Sequence, residues 1–266
     1  MNDNEKEIKY SVIKAFMKPF WIISDNLKDF YTQGSIFSLF VVVISYLLGQ
    51  KYICFFNENM AQNMYCPKLS YLYFPYLLIK LFAIAICINV WYDKVFKKEQ
   101  INEEYFKKNW KKNIKTFAIF MLFMLLNLLP IVSGLILFFR KPNPIWQIEL
   151  LFFTVVSVGF LAPFVLMRFY SYFASFFNGN SQNIIKKIWQ KTQGYNTKIS
   201  FTCIFVFLID LILILTARGI FAKTVSFPAE IYNMIAEFVM AFVTYTIVIL
   251  FVNFMEVQKQ IFLDNK

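Results

Sequence analysis

The sequence predicts an all-α, polytopic integral membrane protein with six transmembrane helices. Three observations carry this: apolar residues in excess of what a soluble core needs, six charge-poor stretches of bilayer length, and Lys and Arg gathered on one side of those stretches. Of 266 residues, 59% are hydrophobic and 34 are Phe, with a mean hydropathy of +0.54. Soluble domains average about 45–50% apolar residues, so the surplus is expected to face lipid. A hydrocarbon core about 30 Å thick requires roughly 20 apolar residues in a helix that rises 1.5 Å per residue.

Six segments meet that length within a single transmembrane domain, 1–266. The first, 30–50, is free of charge between Asp29 and Lys51, and the second, 71–92, is interrupted only by Lys80. The third, 116–139, contains Asn127 and Pro130, which a membrane helix tolerates when neighbours satisfy the freed backbone groups. The fourth, 145–172, holds Glu149 and Arg168 toward its ends, and Gly159 with Pro163 predicts a kink that either packs or serves as a hinge. The fifth, 200–220, surrounds Asp210, and the sixth, 231–257, carries Glu237. Alternation at period two is absent, which argues against a membrane β-barrel.

Orientation follows from the basic residues, which are retained on the cytoplasmic side. With the N-terminus inside, twenty Lys and Arg fall in 1–29, 93–115, 168–198 and the C-terminal tail. Six fall in the opposite loops: Lys51, Lys68, Arg140, Lys141, Arg218 and Lys223. Both termini are therefore expected in the cytoplasm. The formal net charge of +11 is then attraction to anionic lipid headgroups, worth about 1 kcal/mol per Lys or Arg near the surface, and calls for no nucleic acid. Residues 1–10 are polar and of mixed charge, so the first span is expected to be retained rather than cleaved as a signal peptide. The outer loops lack an N-glycosylation acceptor, and the Lys, Asn, Ile and Phe usage suits an AT-rich genome; both point to a bacterial plasma (inner) membrane.

A threefold pattern is built on Trp21, Trp110 and Trp189, at spacings of 89 and 79 residues, each in a basic amphipathic stretch leading into spans 1, 3 and 5. Around Trp110 the apolar face is Phe106, Trp110, Ile114 and Phe117, with five lysines pointing elsewhere. Around Trp21 it is Phe20, Ile23, Leu27 and Phe30, with Pro19 suited to a first helical turn. Around Trp189 it is Ile185, Ile188 and Trp189. Such helices lie at the headgroup boundary. They either sense lipid and dock a partner, or simply fix the tilt of the spans they precede.

The chain has no His, which removes the usual general base and the commonest metal ligand. It has no Gly-x-Ser-x-Gly elbow, no phosphate loop, no His-Glu-x-x-His and only seven Gly. No catalytic, cofactor or metal-binding residues are assigned, and the protein is expected not to be an enzyme. Cys54 and Cys66 share the first outer loop; a disulfide there would stabilise by roughly 3 kcal/mol, or both remain thiols. The intramembrane polar candidates are Lys80, Asp210, Arg218 and Glu237. A charge at the bilayer centre costs ~2.5–3.5 kcal/mol on insertion scales. Equal depth from the outer surface predicts the pair Lys80–Asp210, and Arg218 and Glu237, nearer the outer face on the last hairpin, form a second candidate pair; either pair is part of a transport path or helix-to-helix adhesion.

The basic segment from Trp91 to Trp110 running into a span, Met167 to Ala174, the Asn178–Gln182 turn, and Trp189-Gln-Lys-Thr-Gln-Gly194 running into the next span together give a resemblance. They resemble uncharacterised bacterial six-helix inner-membrane proteins, the YciC-like proteins and the membrane domain attached to some glycerophosphodiester phosphodiesterases. The resemblance implies a six-helix membrane protein and supplies no functional residues; the chain has no room for a phosphodiesterase domain. Three functions follow as expectations. The first is a multi-pass protein organising anionic lipid, or a membrane or cytoplasmic protein partner, through a basic cytoplasmic face. The second is a transporter or permease subunit using the intramembrane charges. The third, disfavoured by the missing motifs, is a lipid-modifying enzyme.

Overall fold

The computed structural model describes residues 11–48, 73–118 and 229–262, with residue 121 and scattered positions from 190 to 217. Every regular element among them is helical. Three helices are long and apolar enough to cross a membrane: Leu27–Leu47, Phe74–Phe96 and Met234–Phe262. The expected fourth span and nearly all of the third lie outside the described residues, as does much of the fifth. By their contacts the described residues form two compact units.

The first unit takes in 23–117 and 208–250. Its framework is α2 (Leu27–Leu47), α3 (Tyr73–Phe96) and the first two-thirds of the helix Ala229–Phe262. The face that α2 buries holds Gly34, Ser38 and Ser45 together with Phe30, Phe37, Val41 and Val42, while Ile36, Leu39, Val43 and Leu47 are exposed. A helix in water would not leave its opposite face this apolar. Between helices in lipid, tails compete equally for apolar side chains, so association rests on close packing and small residues. Gly34 supplies the close approach: a methyl at position 34 would lie 2.7 Å from Phe242 and 2.9 Å from Tyr245. Ser38 satisfies its hydroxyl within the helix by donating to the Gly34 carbonyl at 2.8 Å. Around this contact, Phe30 packs edge-on against Trp91 and Phe242 at 6.1 and 5.8 Å between ring centres, a favoured aromatic geometry.

After α3 the chain reverses. Lys98 adopts a left-handed φ of 59°, and the Glu99 amide closes on the Asp93 carbonyl at 3.0 Å, satisfying a carbonyl left over at the helix end. Asn102 then caps α4 (Glu103–Lys108), its side chain accepting from the Tyr105 amide at 2.9 Å. Glu103 and Glu104 in the first turn and Lys107 and Lys108 in the last match the helix dipole. Asn109 interrupts the helix, which resumes over 110–118.

The second unit takes in 11–22, 251–262 and scattered positions up to 205. It contains most of α1 (Val12–Asp25) and the C-terminal end of α5 (Ala229–Phe262). Here the structure corrects the sequence reading. Pro19 is interior to α1, not in its first turn, because the helix begins seven residues earlier behind Ser11, whose carbonyl accepts from the Ala15 amide at 2.9 Å. The Pro19 carbonyl takes the Asn253 amide group at 3.2 Å. The expected apolar face through Phe20, Ile23, Leu27 and Phe30 also breaks up: a turn at Asn26 resets the helical phase, burying Phe30 and leaving Leu27 exposed. At the end of α5, Glu256 and Lys259 form a buried ion pair at 3.0 Å.

Candidate functional site

Asp93, four residues beyond Asn89 and four before Lys97, sits on one stripe of α3 near its end and is fully buried. One carboxylate oxygen, Oδ2, accepts from the Tyr105 hydroxyl at 2.6 Å and from the Lys112 ammonium. Lys97 Nζ stands 3.1 Å from the other oxygen. One turn earlier on α3, Asn89 donates to Asn113 at 2.7 Å and accepts from Thr116 at 3.0 Å. A single stripe of α3 thus anchors α4 through Tyr105 and the 110–118 segment through Lys112, Asn113 and Thr116. Buried carboxylates persist when paired and hydrogen-bonded; this one takes two donors on Oδ2 and faces the Lys97 ammonium with Oδ1.

The consequence for the basic segment is a helix with its polar face inward. Tyr105, Asn113 and Thr116 are buried, while Phe106, Trp110 and Ile114 are exposed, Trp110 by 52%. Trp110 and Phe117 flank Phe82 at 5.4 and 5.6 Å between ring centres. Burial, reinforced by the Asp93 carboxylate, pushes the Tyr105 phenol well above its usual pKa, so it stays a donor. Burial also pulls the Lys112 ammonium below the usual lysine range, against the opposing pull of Asp93. Asp29 and Lys94, 2.8 Å apart, tie the start of α2 to the end of α3 beside this assembly.

A second ionic group lies near the other end of α3. The Tyr76 hydroxyl donates to Glu237 Oε1, and Lys80 Nζ lies 3.6 Å from the same oxygen and 3.4 Å from the Tyr76 hydroxyl. The structure therefore joins Lys80 with Glu237, one member of each expected pair. Asp210 and Arg218 lie outside the described residues. The physical reason is that Lys80 is seven residues into α3 and Glu237 eight into α5, so the helices bring both to one level, about 10–12 Å from their starts at 1.5 Å per residue. Replacing Glu237 alone with Leu should cost about 3–5 kcal/mol by stranding Lys80, whereas Lys80→Met with Glu237→Leu should be close to neutral. Melting temperatures in detergent for the two singles and the double check this.

Of the remaining sequence candidates, Trp21 is 54% exposed on α1; Trp189, Cys54 and Cys66 lie outside the described residues. Cys87 is a free thiol in α3. The sequence reading missed Asp93, because a span delimited by its charges ends at Tyr92. The signal was the spacing Asn89, Asp93, Lys97, one helical face. Among the described residues no group of three or more Cys, Asp or Glu is placed to hold a metal.

No protein-family model matches the chain. No curated protein and no solved structure matches it either.

Proposed function

We propose that the protein is a six-span, non-enzymatic inner-membrane protein with both ends in the cytoplasm, whose basic inner face gathers anionic phospholipid headgroups. The observation that carries this reading is the docking of residues 103–118 on Asp93 and Asn89. It turns Phe106, Trp110 and Ile114 outward, where acyl chains lie, and leaves Lys107, Lys108, Lys111 and Lys115 at the water boundary. An amphipathic helix held this way anchors in the interface and attracts negative headgroups.

The test is reconstitution into nanodiscs of equal phosphatidylglycerol and phosphatidylcholine, reading the lipids that stay with the protein on gentle release. Enrichment of phosphatidylglycerol is expected, reduced when Lys107, Lys108, Lys111 and Lys115 are all changed to Gln, each lysine contributing about 1 kcal/mol. A retained population matching the bulk mixture would sink the reading, as would a reporter fused within 93–115 that is exported.

The Tyr76–Lys80–Glu237 group favours a second reading, a transporter subunit, since ionisable residues at membrane depth commonly mark ion paths. Proton or solute flux in proteoliposomes that Glu237→Gln abolishes while the fold persists would establish it.

A further inference from the structure

Between α2 and α3 runs a cleft of about 520 Å³, within the roughly 300–1,000 Å³ typical of small-molecule sites. Ile36 and Phe40 of α2 line one wall, Ala83 and Val90 of α3 the other, and Phe106 of α4 and Lys94 close one end. We propose that this cleft seats one acyl chain of a single anionic phospholipid from the cytoplasmic leaflet, its phosphate at Lys94.

Three observations select that occupant. The first is length. From Ala83 to Lys94 is eleven residues, about 16 Å of helix, close to half of a ~30 Å hydrocarbon core and so the depth of one leaflet. The second is polarity: the walls are mostly apolar, the polar lining being Thr32 and Gln33 near the start of α2, and the Lys94 ammonium stands at the end where α3 leaves the membrane. Lys94 is 41% exposed and lies 2.8 Å from Asp29; an ammonium has three donors, so it can hold Asp29 and a phosphate oxygen together. The third is continuity, because the closed end is formed by Phe106 in the same basic segment that faces the headgroups. A free solute would have no use for a wall this apolar, and a protein helix of ~10 Å diameter is too wide for a cleft of this volume and length.

The proposal rests on the membrane placement argued above and extends it from headgroup to acyl chain. The test compares wild type with Ala83→Trp and Val90→Trp in the same nanodiscs by native mass spectrometry. Wild type is expected to keep one phosphatidylglycerol through activation that strips the others. Either Trp variant, which fills the cleft, is expected to lower that occupancy at least tenfold while the looser phosphatidylglycerol enrichment of the basic segment persists. Lys94→Gln with Asp29→Asn is expected to keep one lipid but lose the preference for phosphatidylglycerol over phosphatidylcholine. Unchanged occupancy in folded Trp variants overturns the cleft as the seat and leaves the basic-face reading standing. Absence of any anionic enrichment, even in wild type, overturns both.

Wild type gives an answer without substitutions. A phosphatidylglycerol with a mid-chain diazirine should cross-link to peptides containing Ile36–Phe40 or Ala83–Val90. Adducts confined to other helices, or adducts from a free fatty acid that phosphatidylglycerol does not displace, reject the phospholipid assignment.

Discussion

Asp93→Asn is expected to unfold the basic segment 103–118 and to lower stability by about 3–5 kcal/mol, the range for breaking a buried charge pair. The carboxylate is fully buried and meets Tyr105, Lys97 and Lys112. Asparagine has nearly the same shape, yet it carries no charge and turns one acceptor into a donor facing Lys112 or Tyr105. The Lys112 ammonium would then be half-buried without a counter-ion. The measurement is melting in detergent, read with limited proteolysis at the lysines of 97–115. Increased cleavage confined to that segment, with α2 and α3 intact, is the expected pattern. Asp93→Glu should fare better than Asn, because charge matters more here than length. Equal melting of Asn and wild type would show that the carboxylate holds nothing.

Gly34→Val carries the second large effect. Even a first methyl at position 34 falls inside the contact distance of two rings, 2.7 Å from Phe242 and 2.9 Å from Tyr245. Tyr245 is itself buried and packs against Phe30 at 5.4 Å between ring centres, so it has little room to retreat. Valine adds two more carbons. Overpacking of a filled contact costs about 1–3 kcal/mol, and β-branching confines the rotamer further. Phe242→Ala should restore much of the loss by opening space on the partner helix. A Gly34→Val protein that melts with wild type would mean that α2 and α5 do not meet as described.

The three long apolar helices were legible because a bilayer sets a length over which charges are few: the gap from Asp29 to Lys51 is free of charge, and one residue each, Lys80 and Glu237, lies well inside the other two stretches. What fills each interface was not. Gly34, Ser38 and Ser45 read as unremarkable small residues until the partner helix is present, and no periodicity of apolar residues marks a face that lipid covers equally well. The charges within these stretches were visible one by one, and their pairing was not, because depth selected Asp210 for Lys80 and says nothing of which helices are neighbours, whereas the structure sets Glu237 beside it. Asp93 escaped for the opposite reason: a criterion that ends a span at its first charge discards the residue at which that span grips its neighbour. Pro19 misled because a proline suits a first turn but does not fix one: the helix starts seven residues earlier, behind Ser11.

The separation of the two ionic groups along the chain sets an order of assembly. Asp93 and Lys112 are 19 residues apart, so the loop that their link closes is short and its entropic cost small. Tyr76 and Glu237 are 161 apart, so the contact of Lys80 with Glu237 forms only after α5 has been made.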